Sequence, residues 1–206
     1  MHRRVFLAGL GSAAVASCGP AEPVWAPQDL VDQRVYRSSG PTTLTLYTMK
    51  NVRSGSGAHT SLLVDASQRV LFDPAGTFGH PTIPERNDVL FGVTPTVEEY
   101  YVSYHARITF FVVGHKIVVP PAVAERALLL VTGYGAVPKA HCTQSTSSIL
   151  RQLPGFEGLP QTYFPNRLEA AFALLPGVMS RTYREDDPDS KELAALQVDM
   201  QIRTAQ

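Results

Sequence analysis

The chain has 206 residues, and its 18 lysines and arginines are balanced by 18 aspartates and glutamates. That length suits one domain with a sizeable core, and the charge balance gives no electrostatic reason to expect nucleic acid as a partner. Only two cysteines occur, Cys18 at the end of an export-like segment and Cys142; if Cys18 is acylated, Cys142 is left without an intramolecular disulfide partner in an oxidising compartment.

Residues 1–17 read as an export signal. Arg3 and Arg4 supply its charged start, residues 5–16 a short apolar run, and Val15-Ala16-Ser17-Cys18 a small-residue cleavage site. The run is too short to span a bilayer. The arginine pair followed by Val5-Phe6-Leu7 resembles a twin-arginine signal, and Val15 to Cys18 resembles a bacterial lipobox, whose cysteine is lipid-modified and becomes the first residue of the mature protein. An ordinary cleaved signal with an incidental cysteine fits the same residues. Cleavage removes two basic and no acidic residues, leaving 189 residues with a formal charge of −2. Residues 18–40, with Pro20, Pro23 and Pro27, suit a tether between an anchor at Cys18 and a folded body at 41–183.

Within that body, residues 43–49 alternate and are rich in β-formers, which predicts a strand. A Ser/Gly-rich turn leads into a second strand over 59–64, and a third over 69–73 ends at Pro74 and Gly76. These two runs pattern as a hairpin. Residues 76–94 lack a period and predict a long surface loop, 96–102 begin like a helix with acidic residues in its first turn, and 107–113 with 116–119 read as buried strand. Residues 120–131 form the clearest helix, opened by proline and ended by Gly133 and Gly135. A further helix over 143–153 has Cys142 at its first turn, 166–175 are amphipathic, and 184–206 read as a polar C-terminal tail with a weak final helix.

Two positions carry chemistry. A thiol at a helix start feels the positive end of the macrodipole and the free first-turn N–H groups, both of which favour the thiolate of Cys142. In the hairpin, His59 opens one strand and Asp73 closes the other. Pairing about the turn centre sets Val64 near Arg69 and His59 near Asp73 or Pro74, where a carboxylate would orient the imidazole. A strand-end histidine and a turn aspartate with no shared chemistry fit the same spacing.

This order of elements, with a histidine strand at residues 57–64, a polar hairpin partner, further strands, a helix and then His141-Cys142-Thr143 opening a helix, resembles the circularly permuted papain-like fold. NlpC-type hydrolases place the cysteine helix before the sheet, whereas YiiX-like proteins and lecithin:retinol acyltransferase relatives place the histidine strand first. The resemblance spans about residues 43–153. It implies an α+β fold with an antiparallel central sheet and a cysteine-bearing helix packed against it. It also implies thiol chemistry on an acyl carbonyl, with Cys142 as nucleophile, His59 as base and Asp73 as the orienting residue, although relatives often carry histidine or asparagine at that third position. The Cys142 N–H would hold the oxyanion, with Tyr47 as the candidate second donor, and no cofactor is implied.

With an anchored, exported location, the expected substrates are amide or ester acyl bonds of the cell envelope, in peptidoglycan stem peptides or acyl lipids. A noncatalytic envelope lipoprotein with a buried Cys142 fits the same pattern. A metal site built from Cys142, His141, His59 or His80 lacks the usual paired-ligand spacings, so no metal residue is assigned.

Overall fold

Along strand β1 (Thr43–Asn51), Leu44 and Leu46 point one way and Tyr47 and Met49 the other, and all four are buried, so the strand requires cover on both faces. The computed structural model, which describes residues 21–204, supplies that cover. The export segment 1–17 and the lipidation cysteine Cys18 lie outside the described residues.

The strands that follow are β2 (Gly57–Asp65), β3 (Arg69–Phe72), β4 (Glu85–Arg86), β5 (Val89–Phe91), β6 (Phe110–Val118) and β7 (Met179–Tyr183). They form one antiparallel sheet in the order β4-β5-β3-β2-β1-β6-β7. The helices among the described residues are α1 (Gln28–Arg34), α2 (Pro95–His105), α3 (Pro121–Thr132), α4 (Cys142–Leu150), α5 (Pro165–Ala173) and α6 (Lys191–Thr204). The fold is therefore mixed α+β, with its antiparallel sheet at the centre.

One face of the sheet, carrying Leu44, Leu62 and Phe72, packs against Ala127 of α3, Leu150 of α4 and Phe172 of α5. The other, carrying Tyr47, Leu63 and Leu71, packs against Tyr100, Tyr101 and Val102 of α2. Each fully buried aliphatic or aromatic side chain in these layers is worth about 1.5–3 kcal/mol. Helix α2 starts as its sequence dictates, with Thr94 Oγ1 accepting the Val97 N–H and Pro95 at the first helical position. No helix among the described residues is long and apolar enough to cross a membrane.

Three segments differ from their sequence patterns. Residues 21–40, expected as a tether, run along the sheet edge: the Ala26 N–H donates to the Glu85 carbonyl, the Asn87 N–H to the Val24 carbonyl, and Val31 of α1 is buried in the core. A single buried valine and backbone pairing leave no periodic signal. The expected loop at 76–94 contains the β4–β5 hairpin, whose two-residue turn Asn87-Asp88 has φ of 45° and 65°, the left-handed pair of a type I′ turn. The expected polar tail at 184–206 carries its final helix, but it docks on the domain, and a strand β7 precedes it. Strand β7 pairs with β6, and α6 docks on α2 through the buried Ala194.

Candidate active site

The β2–β3 hairpin pairs Asp65 with Arg69 and Leu62 with Phe72, one residue away from the expected register. Continued outward, this pairing sets Asp73 opposite Ser61 and makes His59 its diagonal neighbour on the same face, within side-chain reach. A bulge at Ala58, where Met49 pairs with His59 but Lys50 pairs with Gly57, re-aims the strand immediately before the histidine. His59 Nε2 lies 2.7 Å from Asp73 Oδ1.

His59 faces the α2 layer, where the His105 ring stacks at 6.1 Å. Thr60, one residue on, faces the opposite layer, and its Oγ1 meets Thr143 Oγ1 of α4 at 2.9 Å in a buried contact. That contact fixes the start of α4 against the histidine strand. Cys142, the first residue of α4, lies 3.8 Å from Thr143 Oγ1 and close enough to His59 and to the Thr60 N–H for both to act on its thiol. With Nε2 engaged by Asp73, Nδ1 is the ring nitrogen left for the thiol.

Charge follows this geometry. Burial alone would push the Cys142 thiol up, but the hydrogen bond and charge of His59, with the Thr143 hydroxyl and Thr60 N–H, bring it below its ordinary value. Burial opposes protonation of His59, yet Asp73 and the thiol outweigh it and raise the imidazole to about 10. Asp73 is buried, and His59 and Tyr101 hold its carboxyl below the usual range. The site thus favours the thiolate and the imidazolium more than water does for either group alone.

Tyr101 and Asp88 support the site, and neither stands out in the sequence. Tyr101 of α2 donates its hydroxyl to Asp73 Oδ1 at 2.6 Å, while His105 Nδ1 lies 2.8 Å from the Tyr101 carbonyl oxygen. The only hint of this pair is the i, i+4 spacing of the two residues on one helix. Asp88 accepts the Ala75 N–H on Oδ1 at 3.2 Å and the Val137 N–H on Oδ2 at 2.7 Å, and its carbonyl accepts the Asp73 N–H at 2.8 Å. Glycine is required at 76, because a Cβ there would lie 1.8 Å from Asp73 Oδ2. Left-handed backbone at non-glycine residues falls around the same site: Ala75 after Asp73, Asn87 and Asp88 in the turn, and Ala140 before Cys142. Each such residue costs on the order of 1–3 kcal/mol.

The structure brings Cys142, His59 and Asp73 together but does not bring Tyr47 to them. Tyr47 is buried on the α2 side of the sheet and donates its hydroxyl to Glu98 Oε1. His141 turns Nδ1 toward the Lys139 carbonyl at 3.0 Å and packs edge-on to Tyr163. It offers no cap to α4, so no side chain of the cap residue occupies the first-turn N–H groups. His115 is buried between Ser180 and Glu169, at 2.7 and 3.4 Å. Among the described residues no group of three or more His, Cys, Asp or Glu side chains converges as a metal site.

Comparison of the chain with protein-family models, curated proteins and solved structures finds no match.

Proposed function

We propose that this chain is a thiol hydrolase or acyltransferase that cleaves an amide or ester acyl bond. The observation that carries this reading is the convergence of residues 59, 73 and 142, with the Asp73 carboxylate bonded to the His59 imidazole and the Cys142 thiol beside that ring at an uncapped helix start. In the reaction, Cys142 Sγ attacks the acyl carbon as the thiolate, and the Cys142 N–H donates a hydrogen bond to the developing oxyanion. His59 then gives its proton to the leaving amine or alkoxide as the C–N or C–O bond breaks, leaving a thioester. An acceptor, water or an alcohol, gives a proton to His59, attacks the thioester and releases the thiolate. Asp73 orients the ring throughout.

The order of strands and helices supports a permuted papain-like fold. The signal-like and lipobox-like N-terminal sequence supports an exported protein anchored through Cys18 to the bacterial envelope. Envelope peptides or acyl lipids are then the substrates within its reach.

The test is the rate of Cys142 alkylation by iodoacetamide against pH. Labelling of the native protein with an acid limb below that of a free thiol, lost in His59→Ala, supports the reading. One observation favours a noncatalytic protein instead: Cys142 is only 8 % exposed. Native protein that labels only on unfolding would establish that alternative.

A further inference from the structure

The segment that follows Cys18 is pinned to the domain almost at once. Val24 and Trp25 run outside β4, at the outer edge of the sheet: the Asn87 N–H donates to the Val24 carbonyl and the Ala26 N–H to the Glu85 carbonyl, both at 2.9 Å. Cys18 stands three residues before Ala21, a span of at most about 11 Å of extended chain. Glu22, next in the sequence, borders a cavity of about 310 Å³ whose wall also includes Asp73, Gly76 and Lys139. A lipid on Cys18 would therefore enter the bilayer close to this edge. The connection is too short to let the domain turn another side toward the membrane.

The side chains of that edge suit such a neighbour. Trp25 is 66 % exposed and Val24 43 %. The indole is held in place rather than left to swing, because the Arg86 guanidinium carbon sits 4.6 Å from its ring centroid. Arg86 is itself fixed, with Nε donating to the Ala26 carbonyl at 2.7 Å and Nη1 to Gln28 Oε1 at 2.8 Å. An indole offers an apolar body and one N–H, the combination that rests at the boundary between headgroups and acyl chains. The formal charge of −2 after cleavage gives no attraction to an anionic surface, so contact falls to the anchor and to these apolar side chains. A short link keeps them at the surface at a high effective concentration. Resting on the reading of Cys18 as the lipid anchor, we infer that the β4 edge is a bilayer-docking face, with Trp25 seated at the headgroup boundary and the Asp73 side of the candidate site turned toward the membrane.

Trp25 is the chain's only tryptophan, so intrinsic fluorescence reports on this face alone. The test takes the full chain, purified from bacterial membranes, and reconstitutes it into phosphatidylcholine vesicles whose acyl chains carry or lack bromine. The expected result is a blue shift of the emission on reconstitution, with stronger quenching by bromine near the headgroup end of the acyl chains than near their methyl end. Trp25→Phe combined with Leu174→Trp moves the probe to a position 85 % exposed, shortly before β7 at the opposite edge of the sheet. That protein should float with the same vesicles and keep a solvent-like emission that bromine leaves unchanged.

Vesicle binding without quenching of Trp25, or equal quenching at positions 25 and 174, overturns the docking face while the anchor stands. A blue shift that bromine does not quench assigns the face to a second copy of the chain and overturns the bilayer as its partner. An unmodified Cys18 by mass spectrometry, with the protein absent from the membrane fraction, overturns both the face and the anchor.

Discussion

Asp88 Oδ2 accepts the Val137 N–H at 2.7 Å, so the turn that holds Asp73 also holds the loop that ends at Cys142. The other carboxylate oxygen accepts the Ala75 N–H, and Val137 is buried in the core. Asp88→Ala removes the acceptor from both amides, at a cost of about 1–3 kcal/mol for a buried donor left unpaired. The expected outcome is a lower urea midpoint together with slower Cys142 alkylation at pH 7. An unchanged midpoint would mean that water replaces Asp88 freely and that the turn does not position the site.

The paired shifts of His59 and Cys142 set a pH window. His59 is raised from 6.5 to about 10, so it binds its proton more tightly when folded, and its contribution to stability is complete below pH 6.5 and lost as pH rises toward 10. Cys142 is lowered, so its contribution is present above the ordinary thiol pKa and lost as pH falls through the folded value. Alkylation of native protein should therefore rise on an acid limb below about 8.5, the free-thiol value, and show a second inflection near pH 10 as the imidazolium neutralises. In His59→Ala only burial and the weaker donors act on the thiol, so the acid limb moves upward. A single limb at the free-thiol position in both proteins would mean that His59 and Cys142 do not interact in solution.

How much of this site is legible in the sequence follows from where its information lies. His59, Asp73 and Cys142 announce themselves locally, two as the ends of a period-2 hairpin and one as a thiol ahead of a helical run. The antiparallel sheet follows from the same periodicity. The hairpin register is displaced by one residue because the turn spans Ala66 to Gln68 and the strands close on Asp65 and Arg69, a choice that two equally apolar strands leave open. Tyr101 and Asp88 act through contacts made only after α2 crosses the sheet and the β4–β5 turn folds back. Nothing in their neighbours' spacing marks those roles. Tyr47 sits on the expected strand, but the side of the sheet to which its hydroxyl belongs is decided by the packing of α2.

Tyr101→Phe tests whether the tyrosine acts on the site through Asp73. Burial pushes the Asp73 carboxyl up, while His59, His105 and the Tyr101 hydroxyl bring it below its ordinary value of 3.8. A group lowered in this way contributes stability above its unfolded pKa that is lost as pH falls through the folded one. Removing one donor raises the folded value, so acid unfolding of Tyr101→Phe should begin at a higher pH, with about 1.5–3 kcal/mol lost at pH 7 for a hydrogen bond to a charged group. Circular dichroism across an acid titration measures it. A uniform loss of stability with no change in the acid midpoint would mark Tyr101 as packing alone.

Thr60 and Thr143 permit a sharper separation of structure from chemistry. Their hydroxyls satisfy each other at 2.9 Å in the interior, so Thr60→Val or Thr143→Val alone strands a buried hydroxyl at a cost of about 1–3 kcal/mol. With both replaced by the isosteric valine no orphan remains, and the double variant should recover most of the stability, giving a coupling of about 0.5–3 kcal/mol in urea denaturation. Thiol chemistry should not recover. The Thr143 hydroxyl also helps lower the Cys142 thiol, so every variant lacking it, including the double one, should show an alkylation limb displaced to higher pH, while Thr60→Val, which keeps its backbone N–H toward the sulfur, should not. If the double variant recovered both stability and the acid limb, Thr143 would be a packing residue and the lowering of Cys142 would belong to His59 and the helix start alone.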